Sequence, residues 1–109
     1  MSTTLSLADI AFRDPDRALA NLTQLASDIP EGVLTLIRVM LASAGDPDTA
    51  LHQLERLQRA RPAAFHRFAR SPALLRALIG LFSQSRFLSE ETMQHPEAFE
   101  SAVSAGDFH

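Results

Sequence analysis

Asp14-Pro15-Asp16-Arg17-Ala18-Leu19-Ala20-Asn21-Leu22-Thr23-Gln24-Leu25 is answered 32 residues later by Asp46-Pro47-Asp48-Thr49-Ala50-Leu51-His52-Gln53-Leu54-Glu55-Arg56-Leu57, with seven identities in twelve positions. Aspartate followed by proline is a strong helix opening. The first carboxylate accepts a first-turn N–H, proline occupies a position whose N–H has no partner anyway, and the second carboxylate complements the helix dipole. Behind each opening, apolar residues recur at three- and four-residue steps: Ala18, Leu19, Leu22, Leu25 and Ala26 after the first, Leu51, Leu54 and Leu57 after the second. That period belongs to amphipathic helices, the first over about 15–27. An offset of this size fits a helical hairpin, as in stacked α-repeats. Two explanations stand: duplication of a hairpin, or convergence of leucine-striped helices on one kind of cap.

Working outward, residues 33–41 are apolar nearly all round and predict a central helix closed by Gly45 as its C-terminal cap. Ala64, Phe65, Phe68 and Ala69 predict a short helix at 63–69. Ser71-Pro72 repeats the capped opening before a largely buried helix over 74–82, in which Gly80 signals close helix packing. Further helices are expected at about 86–94 and 96–105, and a short one at Ser6, with Asp9 three residues on as in a capping box. Pro30, Pro62 and Pro96 are placed in other first turns. No segment alternates with period two, and there is no Asn-Gly or Asp-Gly hairpin signal. The expectation is an all-α bundle of about six to seven short helices, arranged as two related hairpins if the repeat is a duplication. It forms one domain over 1–105, with a tail or linker start at 106–109.

At 109 residues the chain is long enough to bury an ordinary core without a staple. It has no Cys, which removes disulfides, thiolate zinc sites and cysteine nucleophiles. Neither a signal-peptide pattern nor an apolar stretch of bilayer length is present, so a cytoplasmic location is expected and no membrane association. The net charge of −3 is unevenly spread: residues 1–55 carry −5, residues 56–76 carry +6, and residues 77–109 carry −4. An acidic chain lacking Lys and aromatic interleaving does not fit nucleic-acid binding. The basic block reads either as a solvated face pairing with the acidic flanks or as a partner surface made by Arg56, Arg59, Arg67, Arg70 and Arg76.

Asp14-x-Asp16 and Asp46-x-Asp48 resemble the carboxylate pairs that hold Mg²⁺ in nucleotidyl transfer, but each flanks a proline at a helix start, and capping accounts for both. His52, His66, His95 and His109 lack the i, i+4 spacing of a helical metal pair. Ser83, Ser85 and Ser89 lie outside any nucleophile elbow and read as caps and turns. His95, before Pro96, is expected to end one helix where the next begins. Phe82, Phe87 and Phe99 are expected in the core, with Phe108 in a polar tail. No catalytic, cofactor-binding or metal-ligating residue is expected.

The stretch from Ser71 to Phe99 resembles the N-terminal helical region of the glutamine synthetase adenylyltransferase (glutamate-ammonia-ligase adenylyltransferase) family. The matching features are its Leu-Leu…Leu-Phe helix, the Ser85-Arg86-Phe87-Leu88 that follows, and His95-Pro96-Glu97 opening the next helix. Asp14-Pro-Asp-Arg-Ala-Leu-Ala-Asn-Leu22 is similar to that family's opening. The resemblance implies a non-catalytic segment ahead of a nucleotidyltransferase domain that transfers AMP to and from glutamine synthetase. It implies structural or regulatory duty in nitrogen metabolism, with ATP and Mg²⁺ used only by the full-length protein. Implied partners are that protein's own catalytic domain, glutamine synthetase or a PII-type regulator. The other reading of the residues is a stand-alone helical-repeat interaction module.

Overall fold

A computed structural model of the chain describes Ile10 and residues 12–104, and among them it shows seven α-helices. These are α1 (Pro15–Ala26), α2 (Glu31–Ala42), α3 (Pro47–Ala60), α4 (Pro62–Ala69), α5 (Pro72–Gln84), α6 (Arg86–Gln94) and α7 (Pro96–Ser104). The helix expected at Ser6 and the tail at 106–109 lie outside the described residues. Caps explain the starts. The side chains of Asp14, Asp46, Ser71 and Ser85 each accept the N–H three residues on, and proline opens α1, α3, α4, α5 and α7. His95 ends α6, and its carbonyl accepts the Ala98 N–H of α7.

Two expectations about punctuation need correction. Pro30 is the N-cap of α2 rather than a first-turn residue, with extended backbone (φ −63°, ψ 155°). Gly45 is not the cap of α2. The helix stops at Ala42 with Ser43 as a right-handed C-cap, and Gly45 lies outside the left-handed region that favours glycine.

Polar bridges fix how the helices run. Asp48, at the start of α3, accepts main-chain N–H groups at the start of α1, and Gln58, near the end of α3, donates to Gln24 and Asp28 at the end of α1. The two repeat helices are therefore parallel and in register. Arg56 reaches Glu90, and Arg61 reaches the carbonyls of Met93 and Gln94, so α6 runs parallel to α3 on its other side. The N–H of Asp46 donates to the hydroxyl of Ser83 at the far end of α5, which turns α5 antiparallel to α3. The result is one layer of parallel helices, α1, α3 and α6, backed by α2 and α5 running the other way. The short α4 is inserted before α5, and α7 closes on α4, α5 and α6. Each of these bridging hydrogen bonds spans 30–37 residues of sequence.

The centre of this array is α3, which packs on α1, α2, α4, α5 and α6. The apolar run at 33–41 points instead to α2 as the central helix, and that expectation is corrected. The apolar circumference of α2 sits at the margin, with Val39 46% exposed. α3 has the more polar sequence yet buries Ala50, Leu51, Leu54 and Leu57 together with Gln53, Glu55 and Gln58. Most of these polar groups have partners: Gln53 with Arg56, Glu55 with Arg59, and the Gln58 Nε2 with Gln24 and Asp28, while the buried Gln58 Oε1 has none among the described residues. Phe65, Phe68, Leu75, Leu78 and Phe82 complete the core from α4 and α5, and the Phe68 ring meets Phe99 edge-on at 5.6 Å.

Gly80 does not mark close packing: a β-carbon built there meets nothing within 4 Å. Its cost is then only that of glycine inside a helix. Gly80→Ala is expected to stabilise the protein by about 0.8–1 kcal/mol, read as a rise in the urea midpoint with an unchanged slope. A loss of stability would show that α5 is packed more tightly than described.

Candidate interaction surfaces

The Asp-Pro-Asp openings use their carboxylates on helix ends. Asp46 accepts the Thr49 N–H at 3.2 Å, the Thr49 hydroxyl at 2.8 Å and the Arg13 guanidinium at 2.9 Å. Asp48 accepts the N–H groups of Arg13 and Asp14 at 2.8 and 3.1 Å, and Asp14 accepts that of Arg17 at 3.2 Å. One repeat thus caps the other. Among the described residues, no group of three or more His, Cys, Asp or Glu is arranged to hold a metal ion.

The Thr49 hydroxyl, its main-chain N–H and Arg13 hold the Asp46 carboxyl below the ordinary aspartate value, with partial burial opposing them. A carboxyl lowered by folding adds stability that is complete above its unfolded value and is lost as pH falls through the folded one. Asn at this position keeps a capping oxygen and loses the charge. Asp46→Asn is therefore expected to melt below the parent by about 0.5–1 kcal/mol near neutral pH. The gap should close as melts are repeated down to roughly pH 3, and a pH-independent gap would contradict this account.

The structure disperses the Arg block over α3, α4 and α5. Arg56 pairs with Glu90 at 2.7 Å, Arg59 pairs with Glu55, and Arg67 pairs with Glu100 at 3.1 Å. The bond to Glu90 raises the Arg56 pKa, and the same bond lowers that of Glu90. Arg61 donates Nε to the Met93 carbonyl at 3.0 Å and Nη2 to that of Gln94 at 3.2 Å, tying the α3–α4 corner to the α6–α7 corner. Arg70 and Arg76 are exposed and make no ion pair among the described residues.

Sequence reading misses two surfaces. One is an apolar groove of about 600 Å³ between α5, α6 and α7, whose floor includes Ala77, Gly80, Leu81, Leu88 and Val103. Beside it, Phe87 stands 71% exposed and Leu88 44% exposed, against the expectation that Phe87 is core. Adjacent helical positions diverge by about 100°, so Ser89, two residues after Phe87, lies nearly opposite it and faces inward while Phe87 is left outside.

The second is a polar cleft of about 410 Å³ at the start of the parallel layer. Its polar lining comes from Arg13, Asp14, Arg17 and Asn21 of α1 and its lead-in, Asp48, His52 and Gln53 of α3, and Arg86 of α6. His66 and His95 are exposed elsewhere, and His109 lies outside the described residues. No helix among the described residues is long and apolar enough to cross a membrane. No family model matches the chain, and no curated protein or solved structure matches it.

Proposed function

We propose that this chain is a non-catalytic helical segment of a glutamine synthetase adenylyltransferase-like nucleotidyltransferase, acting in the cytoplasm in nitrogen-assimilation control. Its role is structural or regulatory, and its partner is the catalytic domain of the same protein, with glutamine synthetase or a PII-type regulator as further contacts. ATP and Mg²⁺ belong to that catalytic domain.

The observation carrying this reading is the exposed apolar surface at the α5–α6–α7 end. Two residues behind the family resemblance, Leu81 and Leu88, line that surface, and Phe87, next to Leu88 in sequence, is exposed. An apolar patch at the end of a stacked helical array is where further polypeptide packs.

The test mixes the isolated chain with glutamine synthetase, ATP and Mg²⁺, with and without an adenylyltransferase catalytic region supplied in trans. The chain alone transfers no AMP, binds the catalytic region, and loses roughly tenfold in affinity on the double change Phe87→Ser and Leu88→Ser. Both residues are exposed, so the variant keeps its fold, which circular dichroism checks. Turnover by the chain alone, or unchanged binding by the double variant, overturns the reading.

The in-register pairing of α1 and α3 favours a second reading, a stand-alone helical-repeat interaction module. Its available cations in the Arg block are Arg70 and Arg76. A partner held there should dissociate as salt rises.

A further inference from the structure

We infer that this chain stacks head to tail on a second copy of itself, with the outer edge of α1 in one copy seated on the α6–α7 end of the next. The inference does not rest on the family reading, although a catalytic region bound at the α6–α7 end competes with the second copy.

The edge of α1 repeats a face that is buried elsewhere in the molecule. Asp48, Leu51, Glu55 and Gln58 follow one another at steps of three and four, so they share one face of α3. Asp48 and Gln58, at the two ends of that stripe, bond to α1, and α1 is therefore what covers it. Leu51 is 0% exposed, and Glu55 and Gln58 are buried with it. In the repeat 32 residues earlier the same positions hold Asp16, Leu19, Thr23 and Ala26. All four are exposed, Leu19 by 52%. Beyond Asp16 this stripe carries no charge. Stacked repeats that end in water carry a polar outer face, whereas Leu, Thr and Ala are what an internal repeat presents to its neighbour.

The repeat also shows what fits such a stripe. α3 packs on both helices of the α1–α2 pair, and α1 lies parallel to it. The chain offers a pair of the same kind at its other end, where α6 is the last helix of the parallel layer and α7 packs against it. Between them lies a groove of about 260 Å³ whose walls include Leu88, Thr92, Ala98 and Ala102. Leu19 of one copy enters this groove in the way that Leu51 packs on α1.

Charge fixes the register. Within one copy, Arg13 at the start of α1 pairs with Asp46 at 2.9 Å and Asp48 at 3.8 Å, at the start of α3. Arg86 at the start of α6 is exposed, acts on Glu90 through its charge, and is in no ion pair among the described residues. Asp16 at the start of α1 is in none either. Pairing these two across parallel helices places Leu19 beside Leu88 and Thr23 beside Thr92. The two ends differ, so the contact is heterologous and successive copies form an open series.

Sedimentation velocity of the whole chain reads this directly. The average mass starts at the 11.9 kDa of one copy and passes that of two copies as concentration rises from ~20 µM to ~1 mM. Asp16→Asn weakens the association roughly threefold. Leu19→Asp spoils the α1 edge and Ala98→Glu fills the groove, so each variant alone stays a monomer. Mixed in equal amounts they form a one-to-one complex that grows no further, because each retains the end the other has lost. Both positions are exposed, and circular dichroism checks the fold of each variant. A monomer at ~1 mM overturns the inference. A series that stops at two copies, or a mixture that stays monomeric, overturns it in favour of one face pairing with itself. No catalytic region is present, so failure here leaves the family reading standing.

Discussion

Leu54→Ala is expected to lower the stability of this protein by about 2–5 kcal/mol, which for a domain near 100 residues moves the melting temperature by roughly 10–20 °C. Leu54 is fully buried on α3, the helix on which five others pack, so a cavity there is bordered from several sides and has little freedom to collapse. Leu36→Ala supplies the comparison. Leu36 lies on α2, has the same side chain and is only partly buried, so its truncation is expected to cost clearly less. Chemical denaturation of the two variants measures the difference. Equal losses would contradict the placement of α3 at the centre.

Phe68→Ala is expected to cost about 3–5 kcal/mol. The ring is fully buried on α4 and meets Phe99 of α7 at 5.6 Å and 69°, the edge-to-face arrangement that aromatic pairs favour. It is therefore a joint between the inserted helix and the last one. A double-mutant cycle with Phe99→Ala isolates that joint and should return a coupling of about 0.5–1.5 kcal/mol. Strict additivity would mean that the two rings share a core without contributing through their contact.

Which parts of this architecture are legible in the sequence follows from where the information sits. Helix openings are local, so Asp14, Asp46 and Ser71 announce α1, α3 and α5 correctly, and the helix expected at 86–94 matches Arg86–Gln94. The layering is not local. The most apolar circumference, on α2, suggests the centre, whereas the centre goes to α3. Its Gln53, Glu55 and Gln58 are tolerated inside because Arg56, Arg59, Gln24 and Asp28 meet them, and those pairings arise only after folding. Gly80 and Phe87 mislead for a related reason: composition cannot say whether a neighbour stands opposite a given face, and at both positions none does. Arg61, legible only as part of a charge block, is a corner tie because its reach ends on two carbonyls that no sequence pattern marks. The polar cleft has one signal in the sequence, the alignment of Asn21 with Gln53 in the repeat, which gains meaning once the repeats are known to lie parallel.

The uniform span of the helix-to-helix side-chain bonds, 30–37 residues, governs how the molecule gains and loses order. Among the described residues, no such bond or ion pair joins α1 or α2 to α6 or α7. Side-chain bonds therefore tie each helix to near neighbours, while the packing of five helices on α3 couples them through one hub. Loop closures stay short, which favours rapid nucleation at the α3–α5 contact and outward growth in both directions. Loosening runs the opposite way. The α1–α2 pair packs chiefly on α3 and α5, so faster amide exchange is expected on it than on α3.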